Sequence, residues 1–317
     1  MRAIFASDLH SDFGKYQALV NHSNANGIDA MFLGGDFVDG NVSVNPGGKT
    51  GAVPAHDLFL NKSLKEVLTD DEKKSLEGAN QEQEKEILSG VIEGRKEQIV
   101  KSFAGYVEEY ELKTIKQILN GYTGRKIGVL GNHDPVFVKD SLEGIVEFVE
   151  SGIVDINGIK IFGACASYEP PTAASVFPEL YPHLKDYKPT NDEMIAKEDF
   201  SKANGGDVAD KIADIYLLHR GLTDRFAPDK ANPPYTHDYN ARRLVEIARA
   251  KGKDPLVLSG HFHDFDGGRE KGIFQLKPGE FVYEFVMDDK TKELEELVIY
   301  KYVADAAENT AAQKQAA

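Results

Sequence analysis

Five short apolar runs in this chain each end on a residue able to hold a metal ion, and the pattern extends from position 8 to position 263. Ala3-Ile4-Phe5-Ala6 leads into Asp8-Leu9-His10, and Ala30-Met31-Phe32-Leu33 into Gly35-Asp36-Phe37-Val38-Asp39. Ile127-Gly128-Val129-Leu130 leads into Gly131-Asn132-His133-Asp134, Ile215-Tyr216-Leu217-Leu218 into His219, and Leu256-Val257-Leu258 into Gly260-His261-Phe262-His263. Runs of this length and β-branched content read as buried strands. Ligands of open α/β sheets bind in the crevice beyond the carboxyl ends of the strands, so one cleft can collect all of these groups.

The donor chemistry narrows what that cleft holds. Asp8, His10, Asp36, Asn132, His219, His261 and His263 offer oxygen and imidazole nitrogen, with no thiolate among them. Such a set suits Mn, Fe, Ni, Co or catalytic Zn rather than a structural zinc knot. Seven groups are too many for one catalytic ion that must keep an open position. They fit two ions sharing a carboxylate, an arrangement that clamps the attacking and leaving oxygens of an in-line phosphoryl displacement.

The order D-x-H, G-D-x-x-D, G-N-H-D, an isolated His after an apolar run, then G-H-x-H, resembles the calcineurin-like metallophosphoesterase superfamily over about four-fifths of the chain. The resemblance implies a four-layer α/β/β/α sandwich and two divalent cations, Mn favoured, with Fe, Zn, Ni or Co as alternatives. It implies Asp8, His10 and His263 at the first metal, Asn132, His219 and His261 at the second, and Asp36 bridging them. A carboxylate has two oxygens with which to span two ions, whereas Asn and neutral His offer one good donor each. His133 is implied as the general acid facing the leaving-group oxygen, with Asp39 fixing its tautomer. The implied nucleophile is a hydroxide held between the ions and acidified by them. Asn132 and Arg220 are the expected contacts to substrate.

Blander readings exist for several of these residues. Asp8 and Asp39 are also what strand-end turns favour, His219 also reads as a structural core histidine, and Asp134 reads as a supporting or capping group. His22, His56, His183 and His237 lie outside the motifs, and surface or loop positions are the default for them, with substrate contact the alternative for His237 alone. Gly40 stands where the similar G-D-x-V-D-R-G segment of protein serine/threonine phosphatases carries a phosphate-binding arginine, which argues against a phosphoprotein substrate. Arg220, beside His219, either supplies that fork of donors or forms an ion pair on the cleft rim.

A net charge of −15 over 317 residues argues against nonspecific nucleic-acid binding, which draws on clustered Lys and Arg. No apolar stretch approaches the ~20 residues needed to cross a bilayer. With Asp8 so close to the start no signal peptide is expected before the first strand, and the single Cys165 permits no internal disulfide. A cytoplasmic protein acting on a small phosphate ester is the expectation.

We expect a catalytic domain over 1–303 and a fraying Ala- and Gln-rich tail over 304–317. Between Asp39 and Gly131 lie about ninety residues where a helix of about a dozen would connect two parallel strands. Asn41 to Pro54 reads as a loop over the site, and Asp57 to Asn120 as two or three amphipathic helices, together an insertion over 41–120. Leu60, Leu64, Val67, Leu68, Ile99, Phe103, Val107 and Tyr110 mark their apolar faces, which should pack on the core or each other, a second subunit or a ligand being the alternative. Gly48-Lys49-Thr50 resembles the end of a phosphate loop, but Pro46 and the absent first glycine exclude an NTPase site. Asn157-Gly158 between alternating segments predicts a hairpin. Strands are expected over Ile273 to Met287 and Leu297 to Val303, and the Pro-rich loops Tyr168 to Pro189 and Leu222 to Tyr239 as pocket walls. The combined expectation is metal-dependent hydrolysis of a phosphodiester or nucleotide-type substrate. The alternatives are a phosphomonoesterase of small metabolites and an inactive metal-binding scaffold.

Overall fold

A computed structural model describes residues 1–44, 51–150, 152–164, 174, 176–182, 212–219, 239–261, 268–270, 273–276, 281–301 and 313–316. Strand β1 (Arg2–Ala6) leads through helix α1 (Phe13–Ala25) to β2 (Ala30–Leu33), and a ribbon of β3 (Asn41–Val44) and β4 (Gly51–Pro54) follows. Helices α2 (Ala55–Val67), α3 (Asp70–Glu77) and α4 (Gln81–Val107) then run into a π-helical stretch, Glu108–Leu112, and α5 (Lys113–Leu119). Next come β5 (Arg125–Gly128), α6 (Phe137–Ser141), β6 (Glu147–Phe148), β7 (Gly152–Ile156), β8 (Ile159–Ala164) and β9 (Ile215–Leu218). Helix α7 (Tyr239–Ala250), β10 (Leu256–Ser259), β11 (Gly268–Glu270), β12 (Ile273–Leu276), β13 (Phe281–Met287), β14 (Leu294–Lys301) and β15 (Gln313–Ala316) complete the described elements.

The strands form two large sheets. One has the order β15-β14-β13-β1-β2-β5-β6, with β1, β2, β5 and β6 mutually parallel. The other has the order β11-β12-β10-β9-β8-β7, with β12, β10, β9 and β8 parallel. Side chains alternate along each strand, so β1, β2, β9 and β10 each feed two cores. Ala3, Phe5, Ala30 and Phe32 pack with Ile161, Ile215, Leu217, Leu256 and Leu258 in a cluster shared by both sheets. Ile4, Ala6, Met31 and Leu33 face the other way, onto α1, α2, α4 and α5. Phe162, Tyr216, Leu218 and Val257 pack on Leu244, Val245 and Ala248 of α7. The cores therefore stack in the order helices, sheet, sheet, helix. This is a mixed α/β fold with helices outside both sheets, as expected.

The helices between β2 and β5 belong to the first of those cores. Phe59, Leu60 and Val67 of α2, Val91, Ile99, Phe103 and Val107 of α4, and Ile115 and Leu119 of α5 are buried with the outer face of the sheet. Local chemistry sets their starts. Thr69 with Glu72 and Asn80 with Gln83 form capping boxes that satisfy the first free N–H groups of α3 and α4. Tyr110 departs from the expected apolar face and is 53 % exposed. After Val107 the backbone bonds from Lys113 N–H to Glu108 O, a widened turn that changes which residue faces in. Glu111 and Leu112 take the buried positions instead.

Three other expectations meet the structure. Asn157 and Gly158 both have positive φ and join β7 to β8, as an Asn-Gly hairpin requires. The stretch read as a loop from Asn41 to Pro54 is a paired ribbon at its ends, because Asn41–Val44 and Gly51–Pro54 satisfy each other's backbone groups. In the tail expected to fray, Gln313–Ala316 pairs antiparallel with the open edge of β14. Gly48-Lys49-Thr50, Cys165, His183, Arg220, His237 and His263 lie outside the described residues, as do most positions of the two Pro-rich loops, of which Ala174, Val176 to Pro182 and Tyr239 are described. Among the described residues no helix is long and apolar enough to cross a membrane.

Candidate active site

The loops leaving β1, β2 and β5 in one sheet and β9 and β10 in the other carry every described residue of the expected set. The cleft thus draws on two sheets at the carboxyl ends of their parallel strands. Its backbone is tightly wound. Asp8, His10, Ser11, Asp36, Asp39 and His261 all hold a positive φ, between 43° and 72°. Asp and His tolerate this region better than most residues, yet each such residue costs on the order of 1–2 kcal/mol, a strain that persists where the surroundings over-determine it. Glycine is needed where loops touch. At Gly35, with φ +95°, a Cβ would come within 2.7 Å of His219 Nδ1 and of the Gly131 backbone, and a Cβ on Gly131 would collide with Asp36.

Asp36 occupies the centre. Its Oδ2 lies 3.5 Å from His10 Nε2 and 3.5 Å from His219 Nε2, while Oδ1 accepts the His133 backbone N–H at 2.9 Å. One oxygen is therefore equidistant from an imidazole of each expected metal position. On the first side, Asp8, His10 and Asp36 offer ligand atoms that all lie within 4.8 Å of one another. Asp8 is held there by the His261 backbone N–H, at 2.9 and 3.0 Å from its two oxygens. On the second side, Asn132 Oδ1 lies 2.8 Å from His219 Nε2 and 3.0 Å from His261 Nδ1. His219 places its other nitrogen, Nδ1, 2.8 Å from the Gly34 carbonyl. That bond puts the ring proton on Nδ1 and leaves Nε2 as a donor to metal. Carboxylate, amide and imidazole atoms converging around Asp36 fit the donor chemistry of divalent cations. Burial pushes the Asp36 carboxyl up, but His219, His10 and His133 outweigh it and hold it below the usual carboxylate range.

His133 borders the same space, its ring centroid 5.1 Å from that of His10. Its Nδ1 lies 2.6 Å from Asp39 Oδ2. Burial opposes a charge on the ring, yet the bond to Asp39 and the charge of Asp36 raise His133 to about 9. Asp39 is 5 % exposed. Burial raises it, but His56 and His133 prevail and lower it from its ordinary value. The pairing gives the Asp39 side chain a partner on the loop after β5.

Asp134 is fully buried and acts as a staple. Its Oδ1 accepts the N–H groups of Phe37 at 2.7 Å and Val38 at 3.1 Å, and Oδ2 accepts that of Gly131 at 2.8 Å. Burial and the nearby Asp36 push it up to about 7, against the N–H groups that favour its ionised form.

Two residues behind the site escape sequence reasoning. His56, for which a surface or loop position is the default, is fully buried at the start of α2. Glu111, on the π-helical stretch, is 3 % exposed and lies 3.1 Å from His56 Nε2. A charged residue four positions after Val107, in the stripe Ile99, Phe103, Val107, is the one signal that would have pointed to Glu111. His56 carries no such signal.

No protein-family model and no curated protein matches the chain. Among solved structures it is similar to a candidate 5′-nucleotidase from Staphylococcus aureus, at 11 % identity and a TM-score of 0.45, covering 98 % of this chain and 56 % of that one. It is also similar to the calcineurin-like phosphoesterase YfkN from Bacillus subtilis, at 14 % identity and a TM-score of 0.42, over 95 % of this chain and 90 % of that one. A third similar structure is an archaeal phosphodiesterase, at 11 % identity and a TM-score of 0.36, over 95 % and 100 %. At identities this low their chemistry does not transfer, and the functional reading rests on the geometry of the cleft itself.

Proposed function

We propose that this protein hydrolyses a phosphate ester, with a phosphodiester or nucleotide-type substrate favoured over a phosphoprotein. The observation that carries the reading is the placement of Asp36 Oδ2 between His10 and His219, with the His133–Asp39 pair on the adjoining loop. Asp8, His10, Asp36 and His263 would hold one divalent cation, and Asp36, Asn132, His219 and His261 the other. Manganese is the favoured identity. Two cations bound there would supply the Lewis acidity that activates water and offsets the charge of the phosphate.

The remaining work falls to the chain's own side chains. Asp39 accepts from His133 Nδ1, which keeps a proton on that nitrogen and orients the ring. A second proton at Nε2 is then available to the leaving oxygen, as general acid catalysis requires. Asn132 and Arg220 would hold the phosphate oxygens, Arg220 through its planar fork of donors. The absence of an arginine at position 40 disfavours a phosphoprotein. A cytoplasmic setting completes the proposal.

Hydrolysis of paired aryl phosphate mono- and diesters by chelator-stripped protein, with and without Mn²⁺, tests it. Metal-dependent turnover with the diester preferred is the expected result. Preference for the monoester would replace the substrate class, and protein that binds two ions yet turns over neither ester would favour a scaffold. Such a scaffold would have no use for a paired His133 and Asp39.

A further inference from the structure

The helices between β2 and β5 reach the site through two side chains that the proposed mechanism leaves without work. Glu111 Oε1 accepts three donors from the loops that carry the site: Ser11 Oγ–H at 2.7 Å and the N–H groups of Asp39 and Gly40, each at 3.1 Å. Its Oε2 lies 3.1 Å from His56 Nε2. The His56 backbone N–H donates to Asp39 Oδ1 at 2.9 Å, and its ring Nδ1 stands 3.9 Å from Asp39 Oδ2 and 3.4 Å from the Tyr181 hydroxyl. The His56 ring also packs edge-on against Phe103 of α4, centroids 5.3 Å apart.

Asp39 is thus held at its backbone N–H and at both carboxylate oxygens. Its N–H goes to Glu111, its Oδ1 to the His56 backbone, and its Oδ2 to His133. We propose that Glu111 and His56 are positioning residues: through Asp39 they set the orientation of the His133 ring, so the helices between β2 and β5 take part in protonating the leaving group. The proposal rests on the phosphoesterase reading for its chemical consequence, and on geometry alone for the positioning. Its charge arrangement is consistent, since an imidazolium at His56 sits between two buried carboxylates that would otherwise repel. The π-helical turn is what brings Glu111 inward, and such turns recur at functional positions. Glu111 is the only described acidic residue of those helices that is buried.

A loose acid harms esters with poor leaving groups most, because a nitrophenolate departs without help and a phenolate or alkoxide does not. We therefore expect Glu111→Ala to lower the ratio of phenyl-ester to nitrophenyl-ester turnover by about 10- to 100-fold, the usual loss when a supporting partner is removed. Glu111→Gln keeps an acceptor for the three loop donors and should restore most of that ratio. In a His133→Asn background Glu111→Ala should change the ratio no further, since the two act as a unit. His56→Gln, which keeps the backbone bond to Asp39, serves as a second variant should Glu111→Ala fold poorly, and should also lower the ratio.

A readout independent of turnover is the hydrogen-bonded ring N–H resonance of His133 in metal-free protein. It should shift and broaden in Glu111→Ala and return in Glu111→Gln. Equal loss on both esters, or an unshifted resonance, would show that Glu111 merely stabilises the fold and would overturn the proposal. If the wild type hydrolyses neither ester, the hydrolase reading falls instead, and the resonance alone decides the positioning role.

Discussion

Asp134 Oδ1 accepts the backbone N–H of Phe37 at 2.7 Å and so fastens the loop after β2 to the loop after β5. The same carboxylate takes the N–H groups of Val38 and Gly131, which places Asp36 and Asn132 on one rigid unit. Replacing Asp134 by Ala strands three buried donors, and a buried polar group left without a partner costs ~1–3 kcal/mol. We expect Asp134→Ala to lose roughly 3 kcal/mol or more of unfolding free energy in urea titrations, by that same accounting. A loss below about 1 kcal/mol would show that water or other groups replace the staple.

The centre of the cleft makes a sharper forecast. Asp36 Oδ2 is equidistant from His10 and His219, so Asp36→Asn should weaken retention of both ions together. Metal analysis after dialysis reads this directly. Loss of one ion with the other retained as in the wild type would end the bridging assignment.

His133 should matter for chemistry and not for metal. We expect His133→Asn to keep both ions and to lose about 10²–10⁴ in turnover on esters with poor leaving groups. Undiminished hydrolysis of an alkyl ester would remove His133 from the mechanism.

The buried network behind Asp39 predicts a pH window for stability. Burial lowers His56, but Asp39 and Glu111 outweigh it and raise its folded pKa. Its stabilisation is then fully present below the ordinary histidine value, ~6.5, and lost as pH rises through the folded value. Asp39 is lowered, so its stabilisation is present above the ordinary carboxylate value, ~3.9, and lost as pH falls through the folded one. The stability difference between wild type and His56→Gln in metal-free protein should therefore peak between about pH 4 and 6.5 and shrink in strongly alkaline buffer. A difference that grows towards high pH would mean that His56 is held neutral.

What the chain disclosed before folding was its strand ends. Apolar runs of four or so residues closing on Asp, Asn and His are local patterns, and the structure brings Asp8, His10, Asp36, Asn132, His133, His219 and His261 to one cleft. The stripe of Ile99, Phe103 and Val107 was legible for the same reason. His56 and Glu111 were not, because their roles come from contacts between segments far apart in the chain, and a π-helical turn breaks the 3.6-residue period that sequence reading assumes. The pairing of β3 with β4 hid behind turn-rich composition, which signals a change of direction without saying whether its flanks pair.

One consequence follows for anyone who would shorten this protein. Phe59, Leu60, Ile99, Phe103, Ile115 and Leu119 bury the outer face of the seven-stranded sheet together with Ile4, Met31 and Leu33. A chain spliced directly from β2 to β5 would leave that apolar face wet, and exposed apolar surface on such a scale drives aggregation. The segment that looks most removable in the sequence is therefore half of a wall, and a trimmed variant should be recovered from inclusion bodies.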